Sequence, residues 1–149
     1  MVRKLTFFVL VLTFFAACSD DDPTEVVIDS SLPQGQFTSM KSGTFVEQNG
    51  TGSTGTAELG TDGEGTQFLH FGSNFNTNLA TGTVTVYLST SDTYMADPGN
   101  GNPDLLLIGP VKKAGENYFK IDPAAASKFT HVILWCGSAS IPFGYAALN

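Results

Sequence analysis

The segment Thr83-Val84-Thr85-Val86-Tyr87-Leu88-Ser89 sets Val84, Val86 and Leu88 on one side of an extended chain, the two-residue period of a half-buried β-strand. Outward from it, seven further segments carry strand signals: Gly43 to Gln48, Thr54 to Leu59, Gln67 to Phe71, Leu105 to Ile108, Asn117 to Ile121, Phe129 to Cys136 and Ile141 to Ala147. Each is bounded by Gly, Pro, Asn or Asp. About eight short strands without a long helical period predict a single all-β domain, a β-sandwich or barrel-like fold, over residues 37–149. Leu105 to Gly109 and Thr130 to Trp135 are near-continuous apolar runs, which predicts central positions for both. Asp122-Pro123-Ala124-Ala125-Ala126 is the one helical signal, a cap residue followed by proline, and predicts a turn or two of helix. Gly50 to Gly55 is biased to Thr and Gly and reads as a hairpin tip.

Composition agrees. The chain has 149 residues, 42% apolar and 14% charged, which suits one folded domain rather than a disordered chain. Sixteen Gly and twelve Phe spread among many Thr favour strands and tight turns over long helices. Seven basic against 14 acidic residues give a net charge of -7, which removes the cationic field that non-specific nucleic-acid binding needs, so no nucleic-acid partner is expected.

Residues 1–17 read as a secretory leader: Arg3 and Lys4 form the basic start, and Leu5 to Ala17 an apolar run ending in small residues. As a helix that run is about 20 Å long, short of the roughly 30 Å hydrocarbon core a spanning segment must cross. The run ends Phe15-Ala16-Ala17-Cys18 and resembles a bacterial lipobox, which implies cleavage before Cys18 and acylation of its sulfur and amino group, with the membrane as a partner through lipid. Several acyl chains, at about 0.8 kcal/mol per buried methylene, hold a protein on a bilayer far more firmly than one. An ordinary cleaved leader is the alternative. Residues 18–36 then read as a disordered tether, acidic and proline-containing, with Asp20, Asp21, Asp22, Glu25 and Asp29 and too little apolar area to order itself. An acidic run after a lipidated cysteine also resembles the surface-export signal of Bacteroidetes lipoproteins. Placement in the cell envelope is expected, lipid-anchored, on the outer membrane and with surface exposure as an extension.

With Cys18 assigned to lipid, Cys136 is the remaining thiol, and no disulfide forms within the mature chain. An exported compartment oxidises exposed thiols, so a lone cysteine there is buried, ligated or used in redox exchange. Packing as a small hydrophobe is the plain alternative. Strand parity puts Val132, Leu134 and Cys136 on one face, and His131, Ile133 and Trp135 on the other. No Lys or Arg lies within seven residues of Cys136, so any activation of the thiol has to come from another strand. His70 and His131 are the only histidines; with Cys136 they make at most three scattered ligands, short of the four a structural zinc site needs. Asp97, Asn100, Asn102 and Asp104 offer oxygens, but the EF-hand pattern is absent, and Pro98, Gly99, Gly101 and Pro103 read the segment as turns. No nucleophile elbow, P-loop or dinucleotide fingerprint occurs.

The segment His131 to Leu148, HVILWCGSASIPFGYAAL, resembles the C-terminal signature of the DM-thirteen domain, the electron-transfer domain found beside DOMON modules. Val86 to Ser89 is similar to that family's strand motif, and Ile108 to Lys112 with Gly115, Tyr118 and Ile121 to its next block. The chain departs from the pattern at Gly82-Thr83, where the family often has Pro-Asp, and at Gly55-Thr56-Ala57, which no histidine precedes. The resemblance implies an extracellular β-rich domain whose hallmark cysteine, here Cys136, serves as a redox thiol or as ligand to a prosthetic group such as haem. It implies an unidentified redox partner as well. Haem on Cys136 would be thiolate-ligated, since no Cys-x-x-Cys-His attachment motif is present. A non-catalytic surface binding or adhesion sandwich with a structural Cys136 is the alternative.

Overall fold

The computed structural model describes residues 29–149; the leader, Cys18 and the tether as far as Ile28 lie outside the described residues. Eight strands follow one another: β1 (Thr38–Glu47), β2 (Thr56–Thr61), β3 (Gln67–Phe71), β4 (Val84–Ser89), β5 (Leu105–Pro110), β6 (Asn117–Ile121), β7 (His131–Cys136) and β8 (Ile141–Ala147). They form one antiparallel sheet in the order β5-β4-β7-β8-β1-β2-β3-β6, curled into a nearly closed barrel. The long first strand makes the corner. Its residues Thr38 to Thr44 pair with β2, while Phe45 to Glu47 pair with β8. Gly43 permits this, because a Cβ there would lie 2.1 Å from the Ala147 carbonyl oxygen.

All eight expected strands are present, and the all-β fold is as the alternation predicts. β1 begins five residues before the expected Gly43, since Thr38 to Ser42 pair with β2 through a bulge and carry no apolar alternation to announce it. β7 is central, between β4 and β8, as its apolar run predicts. Leu105 to Gly109, expected to be central, is corrected: β5 is an edge strand, and Leu107 is 62% exposed. Its apolar residues serve instead the seam where β5 faces β6, which Ala124 to Ala126 and Phe129 line beside Leu106 and Ile108. The expected helix at Asp122 to Ala126 is likewise absent. Phe129 must enter the core before β7 starts at His131, and a helical nucleus fixes several residues for one hydrogen bond, so Asp122 and Pro123 form a bend, Ala124 to Ala126 run on as irregular chain, and a turn follows at Ser127 and Lys128. Its Ala125 N–H donates to Gln67 Oε1 on β3 at 2.7 Å.

Inside the barrel the residues that share a face by alternation converge. Val84, Val86 and Leu88 of β4 meet Val132, Leu134 and Cys136 of β7 in one core with Phe45, Phe71, Phe75 and Phe119. Phe71 is the hub of edge-on or tilted contacts to Phe45 (5.0 Å), Phe75 (4.6 Å) and Phe119 (5.1 Å). Such aromatic pairs contribute about 1 kcal/mol each beyond burial. At the expected hairpin tip, the buried hydroxyls of Thr51, Ser53 and Thr77 form a chain ending on the Phe143 carbonyl, so every member has a partner.

Residues 29–36, read as part of the tether, are fixed to the β2–β3 turn. Asp62, 7% exposed, accepts N–H bonds from Gln34 (2.9 Å), Glu64 (3.0 Å) and Thr66 (2.9 Å), and Gly63 N–H donates to the Gln34 carbonyl. The Gln34 N–H foremost, with those of Thr66, Glu64 and Gly65, holds the Asp62 carboxyl below the ordinary carboxylate range against the opposing effect of burial. A depressed carboxyl stabilises the fold above its ordinary pKa, and that contribution is lost as pH falls through the native value. Thermal unfolding across the acid range is therefore expected to show wild type losing stability relative to Asp62→Asn as pH drops; parallel curves would refute the assignment. Gly43→Ala is expected to cost about 2 kcal/mol or more in denaturant unfolding, since backbone atoms rather than a flexible side chain must move.

Candidate functional site

β7 ends at Cys136, and the exposed turn Gly137 to Ser140 returns the chain to β8. Ser140 takes a left-handed conformation (φ 55°) that closes this turn. In register, Cys136 stands opposite Val84 of β4 and Ile141 of β8. Strand parity turns its side chain into the barrel, where it is 0% exposed. It is nevertheless the last residue of its strand, and its sulfur meets polar groups as well as core. Ser138 Oγ lies 3.3 Å from the sulfur, and the same hydroxyl donates to the Thr81 carbonyl at 3.3 Å. Gly82, at φ 130°, completes the cover: a Cβ there would stand 2.3 Å from Ser138 Oγ and 3.9 Å from the sulfur.

These contacts supply what the local sequence lacks in cationic neighbours. The Ser138 hydroxyl first, then the Ala139 N–H, hold the Cys136 thiol below the ordinary thiol range, against burial, which raises it. Sequence reasoning missed Ser138, Thr81 and Gly82 as a unit. Ser138 stands two residues from the cysteine, a visible signal, whereas Thr81 arrives from the β3–β4 connection and only the fold brings it there.

The remaining candidates are dispersed. Trp135 points outward and stacks on Tyr94 at 4.1 Å, with Tyr87 edge-on to Tyr94 at 5.2 Å. His131 also faces outward, its Nδ1 at 2.9 Å from Thr130 Oγ1. His70 lies on the outer face of β3, its ring nitrogens 2.9 Å from Glu58 and 3.2 Å from Glu116, with Tyr118 stacked on it at 4.3 Å. Glu58, His70 and Tyr118 are direct partners across three strands, a juxtaposition that depends on register and has no local sequence signal. The Asp97 carboxylate accepts from Asn100 Nδ2, and Asn102 Oδ1 accepts from the Asp97 N–H, around a 3₁₀ turn at Pro98–Asn100. Among the described residues no group of three or more His, Cys, Asp or Glu is placed to hold a metal ion.

A haem, which the resemblance implied as one option, does not fit at Cys136 as it is placed. The sulfur has no exposed surface, and five of the best-formed concavities among the described residues, of 220 to 660 Å³, are lined by other residues. One of 660 Å³ lies outside the β1 corner, along Gly43, Val46 and Tyr145. Neither histidine faces the sulfur's side of the sheet as a second ligand.

The sequence model of a family described as "Electron transfer DM13" matches residues 44–148, from within β1 to the residue after β8, and so includes the Cys136 site. No curated protein and no solved structure matches the chain.

Gly82→Ala is expected to destabilise the fold by about 2 kcal/mol, from backbone strain and displacement of Ser138. Denaturant unfolding of the single variants and of Gly82→Ala with Ser138→Ala checks the geometry. Part of the cost should vanish in the double variant, and strict additivity would count against the contact.

Proposed function

The chain belongs to the Electron transfer DM13 family, and from that premise we propose that Cys136 is the redox group of a lipid-anchored electron-transfer domain in the cell envelope. The family supports a redox role. The observation that carries the assignment to Cys136 is its set of hydrogen bonds: a thiol kept only as filler needs no polar partner, yet this one faces the Ser138 hydroxyl at 3.3 Å and the Ala139 N–H. Both favour the thiolate, the nucleophilic form.

A single cysteine exchanges electrons by bonding to a partner sulfur. The Cys136 thiolate attacks a partner disulfide, a mixed disulfide forms, and the partner's other sulfur leaves as a thiolate, so atoms and charge balance without a further reagent. Because the sulfur is covered, the Gly137 to Ser140 turn must move aside first. No haem step enters. The lipobox-like Phe15 to Cys18 supports acylation of Cys18 and attachment to the outer membrane, and the acidic residues after it support display at the surface. The redox partner would then be another envelope protein.

A second reading keeps the domain as a non-catalytic binding module with Cys136 as core. Complete burial of the sulfur favours it, and so does an uncharged row on the outer face, Leu107-Tyr87-Ile133-Tyr145-Val46, whose ends are 62% and 48% exposed while Ile133 at its centre is fully covered.

Titration of the native mature protein with a small aromatic disulfide separates the two. The redox assignment expects one equivalent of mixed disulfide in the folded state, with a rate that rises at lower pH than for an ordinary thiol and is absent in Cys136→Ser. Reaction only after denaturation would establish the packing role instead. Added haem is expected to give no spectral change that depends on Cys136.

A further inference from the structure

Counting protons at the covered sulfur leads beyond the presence of a thiol to the control of its access. Ser138 has one hydroxyl proton and two claims on it. The Thr81 carbonyl is an acceptor only, so at 3.3 Å the hydroxyl must donate to it. While Cys136 is a thiol, its S–H then donates to Ser138 Oγ, 3.3 Å away, and the chain from sulfur to hydroxyl to carbonyl is complete. A thiolate has no proton to give. The Ala139 and Ser138 N–H groups and the Thr81 hydroxyl already point donors at the sulfur, and a Ser138 oxygen that still presented lone pairs to it at 3.3 Å would meet negative charge, so the hydroxyl turns to donate as well, leaving the Thr81 carbonyl without this donor.

We propose that Ser138 is a positioning residue that latches the cover over Cys136: its proton holds the Gly137 to Ser140 turn to Thr81 in the thiol form and releases that turn when the sulfur becomes a thiolate. Thr81, Gly82 and the turn are all exposed, so water can satisfy the released carbonyl at little cost. The reactive form of the sulfur is thereby the form in which its cover is loose. The groups facing the sulfur from the adjoining strands are Val84 on β4 and Ile141 on β8, neither titratable; the rest of its environment is the Thr81–Gly82 segment, whose Thr81 hydroxyl is a further donor, and its own turn with the N–H groups of Ser138 and Ala139. Gly82 is required because any Cβ would occupy the space of the hydroxyl.

This inference deepens the assignment of Cys136 as the redox group and rests on it, but its test is separate. The carbonyl-carbon resonance of Thr81 reports whether that oxygen accepts a hydrogen bond, and ultraviolet thiolate absorbance reports the state of the sulfur. In wild type the two are expected to titrate with one midpoint. In Cys136→Ser the Thr81 signal should stay still. In Ser138→Ala it should also stay still, while the thiol midpoint rises by about one pH unit, a tenfold fall in thiolate at a given pH, from loss of a charge-assisted donor. Ser138→Thr should restore both effects. A sulfur that titrates while Thr81 does not respond, or that stays a thiol until the protein unfolds, overturns the latch. If the sulfur exchanges with the aromatic disulfide in the folded protein while Thr81 is unmoved, the latch alone fails. If Thr81 follows the thiol but no exchange occurs, the redox assignment fails and the latch survives.

Discussion

β1 can serve two halves of the sheet only because Gly43 lets the backbone at the end of β8 come closer than a Cβ would allow. Through that corner β2, β3 and β6 fold over β8, β7, β4 and β5, and a single strand order becomes a nearly closed barrel. The aromatic core depends on this closure. Phe45 lies just beyond the corner, and the Phe71 cluster it joins comes from the other half of the sheet. Without closure those rings would face water, at about 1.5–3 kcal/mol for each large apolar side chain left unburied.

The position of the sulfur follows from the same arrangement. β7 is hydrogen-bonded on both sides, so Cys136 is held by β4 and β8 as firmly as any core residue. Being last on its strand, it also meets the turn that follows and the segment that enters β4. Burial and hydrogen bonding thus act on one atom in opposite directions: burial disfavours charge on the sulfur, while the donors of Ser138 and Ala139 favour it, and the donors prevail. A covered thiol with a depressed proton affinity differs both from an inert core cysteine and from an open redox cysteine. It is a combination in which reactivity and access need separate control.

The outer surfaces of the two halves differ in kind. Across β2, β3 and β6 the row of Glu58, His70 and Tyr118, with Glu116 beside it, is polar and ionisable. Across β5, β4, β7, β8 and β1 the corresponding row is aromatic and aliphatic, and the Trp135–Tyr94 stack lies beside it. Both rows are products of register, since each takes one residue from each of several strands.

The sequence by itself determined the strands, because a side chain's face in a strand follows from a two-residue period that is local. Val84, Val86 and Leu88, or Val132, Leu134 and Cys136, needed no knowledge of their neighbours in space. It also determined that Cys136 shares a face with Val132 and Leu134 and that nothing cationic nearby in the chain activates it, while the structure decided that this face is the inner one. Only the tertiary structure decided which strands lie at the edges, which is why the apolar run at Leu105 suggested a centre it does not occupy: an apolar run does not reveal whether a strand pairs on both sides, and here Leu106 and Ile108 are half-buried beside the Ala124 to Ala126 segment while Leu107 stays exposed. The Ala124 to Ala126 run shows the same limit, its helical tendency overridden by the need to bring Phe129 into the core. Thr81 and Ser138, 57 residues apart, meet at the sulfur through strand pairing alone, and no pattern along the chain encodes a contact between two connections. Local periodicity fixed what each segment is, and long-range closure fixed what each residue touches.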